Sequence, residues 1–227
     1  GIWQEDEVNA PFIDANGNAT GETNGKVYGV VAGNSKYIDV NKDGKINTED
    51  QGIIGCGQPT FNWGWNNTFN YKNFDFSFFV VGFHGFDIYN ATHQMGYNLI
   101  KSQQMAGVTP MRELLNRWTP TNTNTDIPGF VKGGTENKDF FSTRFVENGS
   151  FIKMKSITLG YTLPEATCRS LGINNLRVYA SVQNPFHITK YSGLDPEATM
   201  GSPLVQGVDW GAYPNSRNYL IGLNFSF

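Results

Sequence analysis

Twelve consecutive residues, Asp39 to Asp50, have the composition of a calcium-binding loop. Side chains that carry an oxygen stand at loop positions 1, 3, 5, 9 and 12, and a glycine stands at position 6. Calcium takes roughly six to eight oxygen ligands, and the glycine allows the sharp turn that gathers them. The spacing therefore predicts a structural Ca²⁺ site. Its ligands would be the side chains of Asp39, Asn41, Asp43, Asn47 and Asp50 and the carbonyl oxygen of Lys45.

The same loop could also fold without a metal. Aspartate and asparagine side chains accept hydrogen bonds from nearby backbone N–H groups, and such turns need no cation. Asp50 also replaces the longer glutamate that usually ends a calcium loop, which shortens the reach for bidentate ligation. Both alternatives stay open at the level of the sequence. In either case the segment would stiffen a loop rather than catalyse a reaction.

No other grouping of residues has the spacing of a known catalytic centre. Asp195 and Glu197 are paired carboxylates of the kind that glycosidases use, but they lie two residues apart in a loop, where we expect exposed turn residues. The histidines His84, His93 and His187 lack metal-ligand spacing. Neither a nucleophile elbow nor a dinucleotide-binding glycine motif occurs. The sequence therefore predicts that the chain is not an enzyme.

The composition excludes some partners and favours a β-rich fold. A formal net charge of −3 provides no basic surface, so we expect no nucleic-acid partner. Charged residues make up only 16% of the chain and aromatic residues 14%, a mixture that suits strands better than helices. No run of eighteen apolar residues occurs, which excludes a membrane-spanning helix. Cys56 and Cys168 are far apart and are expected to be free thiols.

Alternation of apolar and polar residues predicts five β-strands. The last strand places Tyr219, Ile221, Leu223, Phe225 and Phe227 on one face. Large apolar residues along one face of a terminal strand are typical of a transmembrane barrel, in which that face meets lipid. Lys153 and Lys155 fall on the apolar side of the third strand, and we expect them to project beyond the apolar band. The predicted strands are 61–71, 74–80, 151–163, 176–183 and 218–227.

The connections between these strands alternate between short and long. Outer-membrane barrels have short periplasmic turns and long extracellular loops. On that rule the long connections and everything before Thr60 face outward, and Phe227 lies at the periplasmic end. The alternative is a soluble β-sandwich, whose strands also alternate. In function that alternative would be a carbohydrate-binding module with a structural calcium loop.

The long connection after the second strand is predicted to hold a helix over residues 111–118, followed by an irregular loop over residues 119–128. Four aromatic residues in the long connections are expected to be exposed: Trp118, Tyr191, Trp210 and Tyr213. They could stack on sugars, contact a partner or form part of an interfacial aromatic belt.

Several short sequence motifs of this chain occur together in one protein family. They are RFVENGSFIKMK at 144–155, ITLGYTLP at 157–164, LRVY at 176–179, QNPF at 183–186 and KYSGLDPE at 190–197, with RWTP at 117–120 and DIP at 126–128. In these motifs and in their order along the sequence, the chain resembles the C-terminal region of SusC/RagA-type TonB-dependent outer-membrane transporters of the Bacteroidetes. The resemblance covers nearly the whole chain.

The resemblance implies an all-β fold, made of antiparallel strands of the C-terminal part of a 22-stranded transmembrane β-barrel with long extracellular loops. Residues 1–59 would be an extracellular loop segment with the calcium-type loop, and residues 60–227 would be barrel strands and extracellular loops. The chain has too few strands to close such a barrel, so we expect it to be one portion of the transporter.

The family also implies a function and a set of partners. These transporters sit in the outer membrane, contact its lipid, and import glycans or peptides with energy from the TonB complex. A SusD-like surface lipoprotein caps them, and the TonB complex contacts their N-terminal part. The terminal aromatic strand would be the signal read by the barrel-assembly machinery, with Tyr219, Phe225 and Phe227 as its residues.

Overall fold

The computed structural model describes residues 1–97, 111–129, 141–197 and 206–226. Packing divides the chain into two compact units, one formed by Gly1–Ile54 and His93–Ser142 and the other by Gly55–Thr92 and Thr143–Phe227. The predicted boundary between residues 59 and 60 stays a prediction. Among the helices of the described residues, none has the length and apolar character needed to cross a membrane.

The first unit consists of short elements joined by loops. They are α1 (Glu5–Asn9), β1 (Pro11–Ile13), β2 (Ala19–Thr23), α2 (Asn24–Tyr28), and 3₁₀ helices at Thr48–Asp50 and Arg112–Asn116. A third α-helix, α3 (Ala91–Tyr97), crosses the division between the two units. The strands β1 and β2 pair antiparallel. An aromatic group packs beside them, in which the ring centroid of Tyr28 lies 5.8 Å from that of Trp3 and 5.5 Å from that of Phe12.

The helix predicted over residues 111–118 is present as a short 3₁₀ helix, Arg112–Asn116, rather than as an α-helix over the whole range. The Arg117 N–H donates to the Leu114 carbonyl, three residues back, at 3.2 Å. The next N–H, that of Trp118, donates instead to the Ile127 carbonyl at 2.8 Å. The Trp118 indole is buried and donates to the Gln4 side-chain oxygen at 3.0 Å. These bonds replace the helical hydrogen-bond pattern and end the helix after a single turn.

The five predicted strands are confirmed, and they form one antiparallel sheet in the second unit. They are β3 (Phe61–Tyr71), β4 (Phe74–His84), β7 (Phe151–Thr162), β8 (Asn175–Gln183) and β11 (Asn218–Ser226). The order in the sheet is β11-β8-β7-β4-β3, and β9 (His187–Thr189) pairs with the first residues of β7. The all-β, antiparallel fold class is therefore confirmed. Phe227 lies outside the described residues.

Successive residues of each strand point to opposite faces of the sheet. One row of directly paired residues crosses all five strands and consists of Phe69, Phe76, Leu159, Ala180 and Ile221. We call the side that carries this row the apolar face. Its large side chains are exposed rather than covered, and Ile221 is 85% exposed.

The opposite side of the sheet, which we call the polar face, carries small and hydrogen-bonding side chains. One of its rows consists of Thr68, Ser77, Thr158, Ser181 and Leu220. The Thr158 and Ser181 hydroxyl oxygens lie 2.9 Å apart across the strands. Leu220 is the apolar exception in this row.

A β-bulge at Lys155 exchanges the two faces within β7. Phe79 pairs with Ser156 and the next residue, Val80, pairs with Met154, so Lys155 has no partner in the β4–β7 register. A bulge adds one residue to one strand and shifts its alternation by one position. Lys153 pairs with Val81 and therefore lies on the polar face. The prediction that places Lys153 on the apolar face is wrong for this reason.

Beyond the bulge, short strands build a second sheet and a core. They are β5 (Asp87–Asn90), β6 (Val146–Asn148) and β10 (Val208–Asp209), with β10 parallel to β5 in the order β10-β5-β6. The core consists of Phe86, Ile88, Phe151 and Tyr191, with Phe83 packed against it. A helix, α4 (Glu165–Ser170), connects β7 to β8. These strands are too short for alternation to predict them.

Candidate functional site

Five side chains from three segments meet beside the bulge, and we call them the lysine–carboxylate cluster. Lys153 and Lys155 come from β7, Asp195 and Glu197 from the loop after β9, and Asn215 from the loop before β11. Two cations and two carboxylates make the cluster neutral as a whole.

Lys153 is the centre of the cluster. Its Nζ lies 2.8 Å from Asp195 Oδ2 and 2.7 Å from Glu197 Oε2. The Lys155 ammonium contacts the other oxygen of Glu197. Asn215 donates its backbone N–H to Asp195 Oδ2 at 3.1 Å and its side-chain amide to Glu197 Oε2 at 3.0 Å. A buried ion pair is tolerated when such further hydrogen bonds satisfy its oxygens, as they do here.

The expectation that Asp195 and Glu197 are exposed turn residues is wrong. The Asp195 side chain is buried, and that of Glu197 is partly buried. Burial is the largest single influence and by itself would raise the pKa of each carboxyl group. The hydrogen bonds and positive charge of the lysines, joined at Asp195 by backbone N–H bonds from Glu197 and Asn215, together outweigh burial and hold both pKa values below the ordinary range. A carboxylate with a lowered pKa stabilises the fold at neutral pH, and this contribution is lost as the pH falls through the lowered pKa.

A second buried anchor holds the loop before β11. The Tyr191 hydroxyl donates to Asp209 Oδ2 at 2.6 Å, and Asp209 Oδ1 accepts the N–H groups of Gly211 at 2.8 Å and Ala212 at 3.1 Å. Burial raises the pKa of Tyr191, and the neighbouring Asp209 carboxylate raises it further. The hydroxyl therefore stays a proton donor to this carboxylate at physiological pH.

The four aromatic residues predicted to be exposed divide into two pairs. Trp118 and Tyr191 are buried, so the prediction is wrong for them. Each directs its polar atom to an internal partner, Gln4 and Asp209 respectively. Trp210 is 49% exposed and Tyr213 is 90% exposed, which confirms the prediction for this pair.

An ion pair also lies on the polar face of the sheet, away from the bulge. Arg177 Nε donates to Asp75 Oδ1 at 2.8 Å, and its Nη2 donates to Asp75 Oδ2 at 2.5 Å. The two side chains meet above Gly160, where an added Cβ would lie 2.3 Å from Asp75 Oδ1. The Arg177 guanidinium also lies 5.0 Å from the ring of Tyr179. A glycine in the central strand therefore provides the space for a two-point ion pair.

The calcium-type loop is folded by hydrogen bonds to its own backbone. Asp39 Oδ2 accepts the Gly44 N–H at 2.9 Å, and Asp43 Oδ1 accepts the Lys45 N–H at 2.8 Å. Asp50 joins the two ends of the loop, because its oxygens accept the N–H groups of Val40 at 2.8 Å and Asn47 at 2.9 Å. The N–H bonds from Asn47 and Val40 lower the pKa of Asp50.

The remaining predicted ligands fit the same arrangement. Asn41 and Asn47 each accept the N–H two residues ahead, at 3.0 Å and 2.7 Å. The Tyr28 hydroxyl donates to Asp39 Oδ2 at 3.0 Å and joins the loop to the aromatic group of the first unit. An oxygen that accepts one N–H keeps a second lone pair for a cation. Within the described ranges, no three His, Cys, Asp or Glu side chains form a metal-binding group. The calcium site stays a prediction.

The predicted assembly-signal residues lie on the last strand. Tyr219 and Phe225 are exposed on the apolar face and pair with Val182 and Leu176 of β8. Phe227 lies outside the described residues. Their role as an assembly signal stays a prediction.

The chain is similar in sequence to TonB-dependent receptors, although no protein-family model matches it. It is 36% identical over 201 residues to TonB-dependent receptor P3 of Formosa agariphila, an alignment that covers 86% of this chain and 19% of the relative. It is 32% identical over 193 residues to TonB-dependent receptor SusC of Bacteroides thetaiotaomicron, which covers 84% of this chain and 17% of SusC.

The fold agrees with these similarities. The structure of the RagAB peptide importer in the closed-closed state aligns with 95% of this chain and 20% of that chain, at 26% identity and a TM-score of 0.65. The chain is a region of a SusC/RagA-type TonB-dependent transporter. In the open-open state of RagAB, the alignment covers 84% of this chain with a TM-score of 0.64.

This SusC/RagA-type region spans about a fifth of the length of the curated relatives that it matches. The relatives are receptors and transporters rather than enzymes, in agreement with the prediction that the chain is not an enzyme. The resemblance in sequence is therefore confirmed at the level of the family.

Sequence reasoning missed the lysine–carboxylate cluster of the SusC/RagA-type region. The sequence contained one indication of the cluster, because Lys153 and Lys155 occupy two strand positions that alternation assigns to the apolar face. Lysine is rarely placed in an apolar row unless a partner neutralises it or the register changes. Here both occur, because the bulge moves Lys153 and two carboxylates from a distant loop neutralise it.

Proposed function

We propose that the chain is the C-terminal barrel portion of a TonB-dependent outer-membrane importer of glycans or other oligomeric nutrients. The main support is the apolar face, which runs exposed across five paired strands in a chain whose relatives are TonB-dependent receptors. An exposed apolar face of this size requires a nonpolar environment. In the intact receptor this face contacts outer-membrane lipid, and the strands join others in a closed 22-stranded barrel.

The cargo and partners that we propose follow the family. RagAB is named a peptide importer, and SusC-type transporters belong to the same family, so the cargo is a glycan or a peptide. A SusD-like surface lipoprotein works with the receptor, and the TonB complex supplies energy through another part of the protein. The long outward connections, which include the calcium-type loop and Trp210, lie on the lipoprotein side.

We further propose that Tyr219, Phe225 and Phe227 form the signal for the barrel-assembly machinery. We expect the full-length receptor to fractionate with the outer membrane and to change gel mobility on heating in detergent. Deletion of Phe227 should reduce its surface level and the heat-modifiable form far more than the total amount synthesised. A β-sandwich module would instead be fully soluble and show no heat shift, and normal surface levels without Phe227 would contradict the signal.

For the first unit, we propose a structural Ca²⁺ held by Asp39, Asn41, Asp43, Asn47, Asp50 and the Lys45 carbonyl. Calorimetric titration of the full-length receptor with Ca²⁺ should give binding heat that disappears in an Asp39→Ala/Asp43→Ala variant. Asp14→Ala is the matched control, because Asp14 also accepts backbone N–H bonds in an exposed turn of the same unit but lies outside the loop. Equal heats in the wild type and the double variant would remove the site.

A further inference from the structure

We propose that Lys153 is a positioning residue that fixes two loop segments of the second unit, residues 190–197 and 206–217. We call these the anchored loops. The inference is independent of the import function proposed above, because it concerns only how the loops are held. Lys153 is one of the most deeply buried charged groups in the described part of the chain.

The bulge gives Lys153 access to both anchored loops. If Lys155 were paired in regular alternation instead of forming a bulge, the Lys153 side chain would lie on the apolar face, away from Asp195. With it, Lys153 lies on the same side of the sheet as Phe151, whose ring packs in the core with Tyr191. The strand thus presents one cation and one aromatic ring toward the segment that begins at Tyr191.

One ammonium group reaches both loops through shared carboxylate oxygens. Lys153 contacts Asp195 Oδ2 and Glu197 Oε2 in the first loop. The same two oxygens accept N–H groups of Asn215 in the second loop. Lysine has three donors and no acceptor, so it can bridge two carboxylates that would otherwise repel each other. Removal of Lys153 would leave two carboxylates in a buried position with too little positive charge.

The anchors fix the two exposed aromatic residues of the second loop. Trp210 follows Asp209, which is buried and bonded to Tyr191, and Tyr213 lies two residues before Asn215. Ala212, which lies between the two aromatic residues, is also buried. The backbone on each side is therefore held inside the unit, and the anchors fix the backbone positions from which the two aromatic side chains project. Lys153 acts on Trp210 and Tyr213 only through these intermediates.

Hydrogen exchange of the full-length receptor in detergent, read by mass spectrometry, tests the proposal. We expect Lys153→Met to accelerate exchange at least about tenfold in both anchored loops, since breaking a buried pair by removing one partner is strongly destabilising. Exchange in β3 and β8 should stay close to that of the wild type. Lys155→Met is the matched control, because Lys155 is more exposed and its ammonium pairs with Glu197 alone among the carboxylates of the described residues. Its effect should be smaller and confined to residues 190–197.

A neutral double variant separates charge from packing. In Lys153→Met/Asp195→Asn, one uncompensated carboxylate is removed, so the acceleration should be smaller than in Lys153→Met alone. Glu197→Gln provides a milder change if Lys153→Met does not assemble, and it should still accelerate exchange in both anchored loops. The proposal is overturned if Lys153→Met leaves the loops unchanged, if β3 and β8 accelerate as much as the loops, or if Lys155→Met has an equal effect.

Discussion

Replacement of Ile221 by arginine is expected to prevent stable assembly of the full-length receptor, whereas replacement of Leu220 by arginine should be tolerated. The two residues are adjacent on β11 and therefore lie on opposite faces of the sheet, with Leu220 paired to Ser181 on the polar face. Ile221 is near the middle of the strand, in the row that crosses the apolar face, and its side chain is 85% exposed. Arginine on a lipid-facing position near the membrane midplane costs about 2–4 kcal/mol.

The measurement is the fraction of receptor in the heat-modifiable form after isolation of the outer membrane. A cost of this size corresponds to a change of roughly 30- to 1,000-fold in the folding equilibrium, since about 1.4 kcal/mol is tenfold. Ile221→Leu controls for the loss of the β-branched side chain and should behave as the wild type. Equal assembly of Ile221→Arg and Leu220→Arg would show that the apolar face does not contact lipid.

Replacement of Gly207 by alanine is expected to destabilise the packing and hydrogen bonding of the start of the second anchored loop against β5. Gly207 has a φ of 81°, which alanine adopts at a cost of about 1 kcal/mol. An added Cβ would also lie 2.5 Å from the Gly57 Cα and 2.8 Å from the Asp87 carbonyl oxygen. Both neighbours are backbone atoms and cannot rotate away, so the clash adds about 1–3 kcal/mol.

The amide of Tyr89 reports on this change, because it donates to the Gly207 carbonyl at 2.7 Å. We expect exchange in β5 to rise by about a hundredfold in Gly207→Ala, in line with a total of 2–4 kcal/mol. Gly211→Ala is the matched control, since Gly211 has a φ of 86° but, among the described residues, the nearest atom to an added Cβ is the Thr92 hydroxyl oxygen at 3.5 Å. An equally large effect of Gly211→Ala would mean that the left-handed φ, rather than the close approach at Gly57, determines the cost.

The sheet was predictable from the sequence because period-two alternation is strong in long strands with one apolar face. Phe74, Phe76 and Phe78 alternate with Asp75 and Ser77, and the structure places the two sets on opposite faces. The short strands β5, β6 and β10 span at most four residues each, too few for alternation to distinguish them from loops.

The lysine–carboxylate cluster was not predictable from local patterns. Asp195 is more than forty positions from Lys153 along the chain, and a carboxylate in a Gly- and Pro-containing loop is usually exposed. Only the register of β7 shows that the lysine faces the loop. Similarly, the burial of Trp118 depends on its bond to Gln4, over a hundred positions away. At both positions, contacts with residues that are distant in the sequence determine that the side chain is buried.

The bulge at Lys155 divides β7 into two parts whose side chains alternate in opposite phase. On the C-terminal side of the bulge the odd-numbered residues of β7 lie on the apolar face, and on its N-terminal side the even-numbered residues do. If Lys155 paired with Val80 in regular alternation instead of forming the bulge, Phe151 and Lys153 would both lie on the apolar face. Ile152 and Met154 would then take their places on the polar face, so that an aromatic ring of the core and a charge would be lost from the side that faces the anchored loops. The single bulged residue thus determines whether this side of the sheet carries the aromatic ring and the ammonium group that hold the anchored loops.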